Sequence, residues 1–183
     1  LHPSQWQSRI AALKCCGLNT LETYAAWSLH EKKENEFNFE GALDIASYLR
    51  MAGEAGLYVI LRPGPYICSE LDLGGLPAWL LAKKCRLRSA DAVYLSYAKR
   101  YLAAVFKEIR PLLYTNGGPI IALQLENEFI GNDLPYMEKL RDLFIEEGID
   151  VPLMISNAPG DLSKSLPSGV FASVNGRNHP AAM

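Results

Sequence analysis

Ile120-Ile121-Ala122-Leu123-Gln124-Leu125 is an apolar run that leads directly into Glu126-Asn127-Glu128. Preceded by Gly117-Gly118-Pro119, it reads as a buried strand whose polar end opens onto a site. Two carboxylates and an amide at the end of a buried strand cost desolvation free energy unless a ligand or a reaction uses them. Strand alternation puts Glu126 and Glu128 on one face, so spacing leaves open which of them would be a catalytic acid. The plain alternative is a solvated strand end.

Outward from this stretch, strands alternate with helices. Ser4 and Gln7 form a capping-box pattern ahead of a helix carrying Trp6, Ile10 and Leu13 and stopped by Gly17. Leu18 to Tyr24 reads as a strand in which Thr20, Glu22 and Tyr24 alternate, followed by a loop through Trp27, His30 and Glu31. Asn38 is placed to cap a helix from Gly41 to Ala55, and Leu57 to Leu61 is a buried strand. The prolines of Arg62-Pro63-Gly64-Pro65-Tyr66 then predict a stiff, long loop past Gly74 and Gly75 to Pro77. Ser89 is expected to cap a helix to about Ile109, with Tyr94, Tyr97, Tyr101 and Val105 on one side. A further helix begins near Asp133 and Pro135, turns Met137, Leu140 and Phe144 inward and ends at Gly148. Val151 to Ser156 and Val170 to Val174 are the last apolar strands.

This alternation indicates βαβ units and a parallel sheet buried on both faces, an α/β fold. A doubly wound sheet would carry a Gly-rich turn opening a helix, and no G-x-G-x-x-G or P-loop occurs. A (β/α)8 TIM barrel gathers its chemistry at the C-terminal ends of several strands, where the polar groups fall: Glu22 and Tyr24, Cys68 to Glu70, and Glu126 to Glu128. The barrel is the expected architecture. Five candidate strands against eight make it an incomplete barrel over residues 1–183, roughly strands 2 to 6, with the first and last strands outside the chain.

The 18 basic and 20 acidic side chains give a formal charge of −2, without a run of Lys or Arg, which argues against a nucleic-acid partner or an acidic membrane surface. With 49% hydrophobic residues the chain reads as globular, yet apolar stretches such as Leu76 to Ala82 are too short to span a bilayer. Cys15, Cys16, Cys68 and Cys85 form no C-x-x-C pair, and His2, His30 and His179 lie far apart, so no structural metal is expected. Cys15 and Cys16 close a helix and are expected to be buried, inert thiols. Glu70 sits in a rigid loop that can present its carboxylate to ligand hydroxyls, or it is an ordinary loop charge. Tyr24, Trp27, Tyr66 and Trp79 near the mouth can stack on sugar C–H faces, or simply pack. His30-Glu31 is a weak signal, since a lone loop histidine is more often a hydrogen-bonded group than a catalyst.

Three motifs in order carry a resemblance. They are Glu22-Thr23-Tyr24 with Trp27 and His30-Glu31; Arg62 to Cys68 with Glu70 and Gly74-Gly75-Leu76-Pro77-Ala78-Trp79-Leu80; and Asn116-Gly117-Gly118-Pro119-Ile120-Ile121 through Glu126-Asn127-Glu128. Together they closely resemble glycoside hydrolase family 35, the β-galactosidases of the acid, lysosomal type. The resemblance implies retaining hydrolysis of terminal β-linked galactose, with Glu128 as general acid/base and Asn127 touching the sugar 2-hydroxyl. It makes Glu126 a supporting residue, and it implies that Tyr24, Cys68, Ser69 and Glu70 hold the galactose ring hydroxyls, including the axial 4-hydroxyl. No cofactor is implied, and a lysosomal or extracellular location is.

The chain departs from the family pattern in several places. The nucleophile, a glutamate on the seventh strand, has no counterpart before Met183, so the remainder of the same polypeptide is expected to supply it. Ser69 stands where alanine is usual, Leu71 where tryptophan is usual, Ala25-Ala26 where Val-Pro is common, and Phe129-Ile130 where Tyr-Gly is expected. Two rival readings remain: a truncated product that binds galactosides or a partner without hydrolysing them, and a different barrel β-glycosidase with the same Asn-Glu strand end.

Overall fold

The computed structural model describes residues 2–158 and 165–174. Its elements run α1 (Trp6–Cys15), β1 (Thr20–Tyr24), a single turn α2 (Trp27–His30), α3 (Ile45–Glu54), β2 (Tyr58–Gly64), α4 (Ala92–Ile109), β3 (Ile120–Leu125), α5 (Leu134–Glu146), β4 (Leu153–Asn157) and β5 (Phe171–Val174). The five strands form one parallel sheet in the order β1-β2-β3-β4-β5. A strictly sequential order has no point at which the winding reverses, which excludes the doubly wound alternative and matches an arc of a (β/α)8 barrel. Among the described residues β1 and β5 are each paired on one side only.

The core lies between the sheet and its helices. Leu49 and Ala52 of α3, Val59 and Leu61 of β2, Tyr101 and Val105 of α4, Leu123 and Leu125 of β3, and Met137, Leu140 and Phe144 of α5 are all fully buried in it. Tyr94 joins them, whereas Tyr97 is only partly buried. Phe106 meets Phe144 edge to face at 4.7 Å between centroids, locking α4 to α5.

Three helix starts differ from the expected ones, and at two of them a nearby carboxylate is the cap. Ser4 does not cap α1: its hydroxyl bonds the His2 ring at 2.8 Å, and a short 3-10 turn, Pro3–Gln5, precedes the helix. Asn38 closes a turn by accepting the Glu40 N–H, while Asp44 caps α3 through the Ser47 N–H at 2.9 Å. Asp91, not Ser89, caps α4, accepting from Val93 and Tyr94, and the Ser89 hydroxyl accepts the Asp91 N–H at 3.2 Å. A carboxylate satisfies orphan N–H groups and also meets the positive end of the helix, an advantage a hydroxyl or amide lacks. Asp133 caps α5 with proline in the first turn, as expected.

Two further expectations fail. Arg62 and Pro63 belong to β2 rather than to the following loop, because β2 shifts register against β3 between Leu61 and Gly64, a bulge at which proline's missing N–H is tolerated. Cys15 and Cys16 are exposed, since the last turn of α1 faces outward.

Candidate active site

The polar groups of interest do collect at the C-terminal ends of β1, β2 and β3, but β3 does not end as alternation suggests. The strand stops at Leu125, and Glu126 and Glu128 then take left-handed backbone angles, φ +54° and +46°. Period-two alternation therefore breaks, and the two carboxylates part company: Glu126 is 1% exposed, while Glu128 is exposed. Such angles cost a non-glycine residue roughly 1–2 kcal/mol each and persist only where the surroundings hold them.

Glu126 is the centre of what holds them. Arg88 grips its carboxylate with two N–H groups, Nε to Oε1 at 3.1 Å and Nη2 to Oε2 at 2.8 Å. The Tyr136 hydroxyl donates to Oε1 at 2.8 Å, and the Asn127 N–H donates to Oε2 at 2.9 Å. Burial first, and then the Glu126 charge, raise the Tyr136 phenol well above its usual range, so it stays a neutral donor. Burial works against the charge of Arg88, but the adjacent carboxylate more than offsets it and the guanidinium is held above its usual value. Gln124, the one polar residue within β3, donates through Nε2 to the Glu126 carbonyl at 2.8 Å and to Asn127 Oδ1 at 3.0 Å. From the other side the Glu128 N–H donates to the Ser156 carbonyl at 3.0 Å, and Asn157 accepts the Phe129 N–H at 2.9 Å.

The loop after β2 is equally constrained. Cys68, Ser69 and Glu70 have φ of +61°, +52° and +51°, three consecutive left-handed residues. Cys68 and Ser69 are half-buried, and Glu70 is exposed. Gly74, at φ +62°, lets the loop fold back on itself: a Cβ there would lie 1.9 Å from the Tyr66 ring. Two arginines tie this loop to the strands beside it. Arg62 reaches the Ile67 carbonyl at 3.1 Å and Glu22 at 2.8 Å and lies 4.6 Å from the centroid of Tyr24. Arg88 stacks on Tyr66 at 3.6 Å. Tyr24, at the end of β1, is 43% exposed.

The aromatic expectation holds only in part. Tyr24 and Tyr66 are at the mouth, but Trp27 is fully buried, stacked on Tyr101 at 4.8 Å and bonded through Nε1 to Glu31, so it cannot face a ligand. Trp79 packs between Trp27 and Tyr97 with its Nε1 on the Glu31 carbonyl. His30 is buried with its Nδ1 on the Asn38 carbonyl at 2.9 Å, a structural group as the weak signal implied. A groove of about 770 Å³ runs along the free edge of β1 between α1 and Tyr48 and touches the expected site at Tyr24 and Ser69; neither Asn127 nor Glu128 lines it. Among the described residues no group of three or more His, Cys, Asp or Glu is placed to hold a metal ion.

Arg88, Tyr136, Gln124 and Asn157 are not singled out by the sequence, and Arg62 only as the start of a motif. Gln124 was legible as a polar residue inside an apolar strand, and Asn157 as a polar end to another. Arg88 and Tyr136 carried no local signal, since their meaning comes from a carboxylate 38 and 10 residues away.

Comparison with known proteins bears on the family and the fold. The family model of Glycosyl hydrolases family 35 matches residues 1–177. Beta-galactosidase-1-like protein 2 of Homo sapiens is 44% identical over 173 residues, an alignment that takes in 93% of this chain and 27% of that protein. Beta-galactosidase of Bos taurus is 43% identical over 177 residues, with 93% and 27% covered. Beta-galactosidase 8 of Oryza sativa subsp. japonica is 44% identical over 182 residues, with 94% and 27% covered. The chain thus spans about a quarter of the length of these relatives. Among solved structures, the exo-beta-1,4-mannosidase Op5Man5 from Opitutaceae bacterium strain TAV5 superposes with a TM-score of 0.74 at 13% identity, covering 95% of this chain and 34% of that one. GH5_18 from Streptomyces cattleya gives 0.67 at 16%, covering 84% and 39%. At such identities these two speak for the barrel fold alone. Nearly the whole length matched by one family model, at more than 40% identity to several of its members, places the chain in glycosyl hydrolase family 35.

Proposed function

We propose that this chain carries the acid/base half of a retaining β-galactosidase, and that the remainder of a longer polypeptide supplies the nucleophile. Glu128 protonates the departing glycosidic oxygen and then, as a base, activates the water that releases the sugar. Asn127 contacts the 2-hydroxyl; Tyr24, Cys68, Ser69 and Glu70 hold the other ring hydroxyls, the axial 4-hydroxyl among them. The substrate is a terminal β-galactoside of a glycolipid, glycoprotein or oligosaccharide, and no nucleic acid takes part. The resemblance favours a lysosomal or extracellular location, and no helix among the described residues is long and apolar enough to cross a membrane.

One observation carries the reading. At the C-terminal end of β3, Glu128 is exposed on a strained turn while its neighbours Glu126 and Asn127 are buried. That is how a barrel presents one reactive carboxylate and fixes the rest. In the full-length protein, Glu128→Gln is expected to lower kcat/KM for alkyl β-galactosides by about 10²–10⁴-fold. A 2,4-dinitrophenyl β-galactoside, whose leaving group needs no proton, should be far less affected. Equal losses on both substrates, or none, would remove Glu128 from the role. A glucoside hydrolysed as fast as the galactoside would favour a different β-glycosidase.

A further inference from the structure

Glu126 and Asn127 lie next to the exposed carboxylate in the chain, but the group that organises the turn comes from elsewhere. Arg88 lies in the segment between the loop after β2 and α4, and its guanidinium makes more than an ion pair. Beyond its two bonds to Glu126, Nη2 donates to the carbonyl of Asn127 at 2.8 Å and approaches that of Glu128 at 3.3 Å. Left-handed turns take these carbonyls out of the β ladder, and they need other donors, the Asn127 carbonyl above all because that residue is buried. Arg88 provides them, while Ser156 and Asn157 at the end of β4 take the N–H groups of Glu128 and Phe129. The peptide planes on both sides of the Glu128 Cα are thereby fixed, and with them the direction in which its side chain leaves the backbone.

The arginine is itself immobilised. Its own φ is +49°, and the turn that carries it is closed by the Ser89 hydroxyl on the Arg86 carbonyl at 2.7 Å and by the Arg86 N–H on Asp91 at 3.2 Å. Asp133, the cap of α5, accepts the Ala90 N–H at 3.1 Å, so the turn is pinned to two helix starts. One face of the guanidinium lies on Tyr66. A surface ion pair has none of this; the arrangement is that of a group whose position matters.

We propose that Arg88, acting through Glu126 and the Asn127 and Glu128 carbonyls, is the positioning residue that aims the Glu128 carboxyl at the glycosidic oxygen. This rests on the reading of Glu128 as general acid. Tyr136 shares the task by donating to Oε1 of Glu126, the oxygen that also accepts from Arg88 Nε. Proton transfer to a leaving group is sensitive to placement, and an error of about 1 Å can cost roughly 10²-fold. Loss of Arg88 therefore penalises substrates in proportion to how much they need that proton.

The test uses the full-length protein with Arg88→Met, Arg88→Lys and Tyr136→Phe, assayed as kcat/KM on methyl β-galactoside and on 2,4-dinitrophenyl β-galactoside. This ratio reports the steps up to formation of the glycosyl-enzyme. Arg88→Met is expected to lower the methyl substrate about 10²-fold more than the dinitrophenyl one, with Arg88→Lys and Tyr136→Phe giving smaller splits in the same direction. Lysine keeps the charge but cannot span a carboxylate and two carbonyls at once. A purely structural role lowers the amount of folded enzyme and scales both substrates equally; that result, in whichever of these variants fold, overturns the proposal. Tyr136→Phe removes only a hydroxyl, so it remains informative if the arginine variants fail to fold. Glu128→Gln separates the two readings. If it shows no split, Glu128 is not the acid and the function falls with it; if it shows the split and the Arg88 and Tyr136 variants do not, only the positioning role is lost.

Discussion

Glu126 and Glu31 are buried carboxylates with the same kinds of partner. Each takes an arginine, an aromatic donor and a backbone N–H: Arg88, the Tyr136 hydroxyl and Asn127 for Glu126; Arg100, the Trp27 Nε1 at 2.6 Å and Asn35 at 2.7 Å for Glu31. What differs is where the arginine goes next. Arg100 continues to the faces of Trp79 and Tyr97 and to Glu34 at 3.8 Å, all side chains, and so staples residues 27–39 to α4. Arg88 continues to main-chain carbonyls in a strained turn beside the candidate acid. The same pair chemistry serves once as a fastener and once as a template for backbone shape. An inventory of ion pairs would not separate them.

The contrast is broken most directly by removing one partner from each pair. Arg88→Met and Arg100→Met each strand a buried carboxylate, and each is expected to cost about 3–5 kcal/mol of stability in urea unfolding of the full-length protein. The costs should be alike and the activities not. At equal concentrations of folded enzyme, Arg100→Met should hydrolyse alkyl and activated galactosides in the parent's ratio, whereas Arg88→Met should not. If Arg100→Met also shifts that ratio, the two pairs have the same role and the contrast is lost.

A double-mutant cycle sharpens it. Glu31→Met with Arg100→Met, and Glu126→Met with Arg88→Met, are each expected to be more stable than the sum of their single changes by about 1–3 kcal/mol, because the second substitution removes a charge the first left unpaired. Restored stability should bring restored activity in the Glu31 pair only. Recovery of the leaving-group ratio in the double variant at Glu126 would mean that the turn keeps its shape without the pair.

How much of this was visible in the sequence follows from the range of each interaction. Strand and helix order, and hence the barrel, rests on local periodicity, and Met137, Leu140 and Phe144 are buried as their spacing implied. The Glu126-Asn127-Glu128 motif marked the place but misplaced its geometry, since nothing local shows that non-glycine residues will adopt positive φ. Those angles are imposed by Arg88 and by the end of β4, across 28 to 40 residues of chain. Trp27 stays undecided in the sequence for the same reason: an aromatic after a strand end can be a stacking platform or core until Tyr101, three elements later, is seen to cover it. His30-Glu31 and Glu126-Asn127-Glu128 are both short polar motifs after strands, and only the third dimension tells the fastener from the template.

The smallest expected effect concerns pH and falls on one side of the contrast. His30 is buried beside the Glu31 staple, stacked on Phe39 at 4.7 Å, with its ring on the Asn38 carbonyl. Burial lowers its pKa, and the carbonyl only partly opposes this. As pH falls through about 6.5, the unfolded or opened chain takes up a proton that the native ring still refuses. The open form therefore binds more protons, and stability around residues 27–39 declines until the pH passes below the native value. Asp44 acts in the same direction only in stronger acid: hydrogen bonds from Ser47 hold its carboxyl below the usual range, and the cap is lost as pH drops through that lowered value. Between pH 7.5 and 5.5, hydrogen-exchange protection should thus fall in residues 27–39 and hold in residues 120–129. His30→Gln, which cannot take up the proton, should flatten the decline. Protection that falls equally at both places, or that falls unchanged in His30→Gln, would place the acid sensitivity outside the Glu31 staple and erase the difference between the two regions.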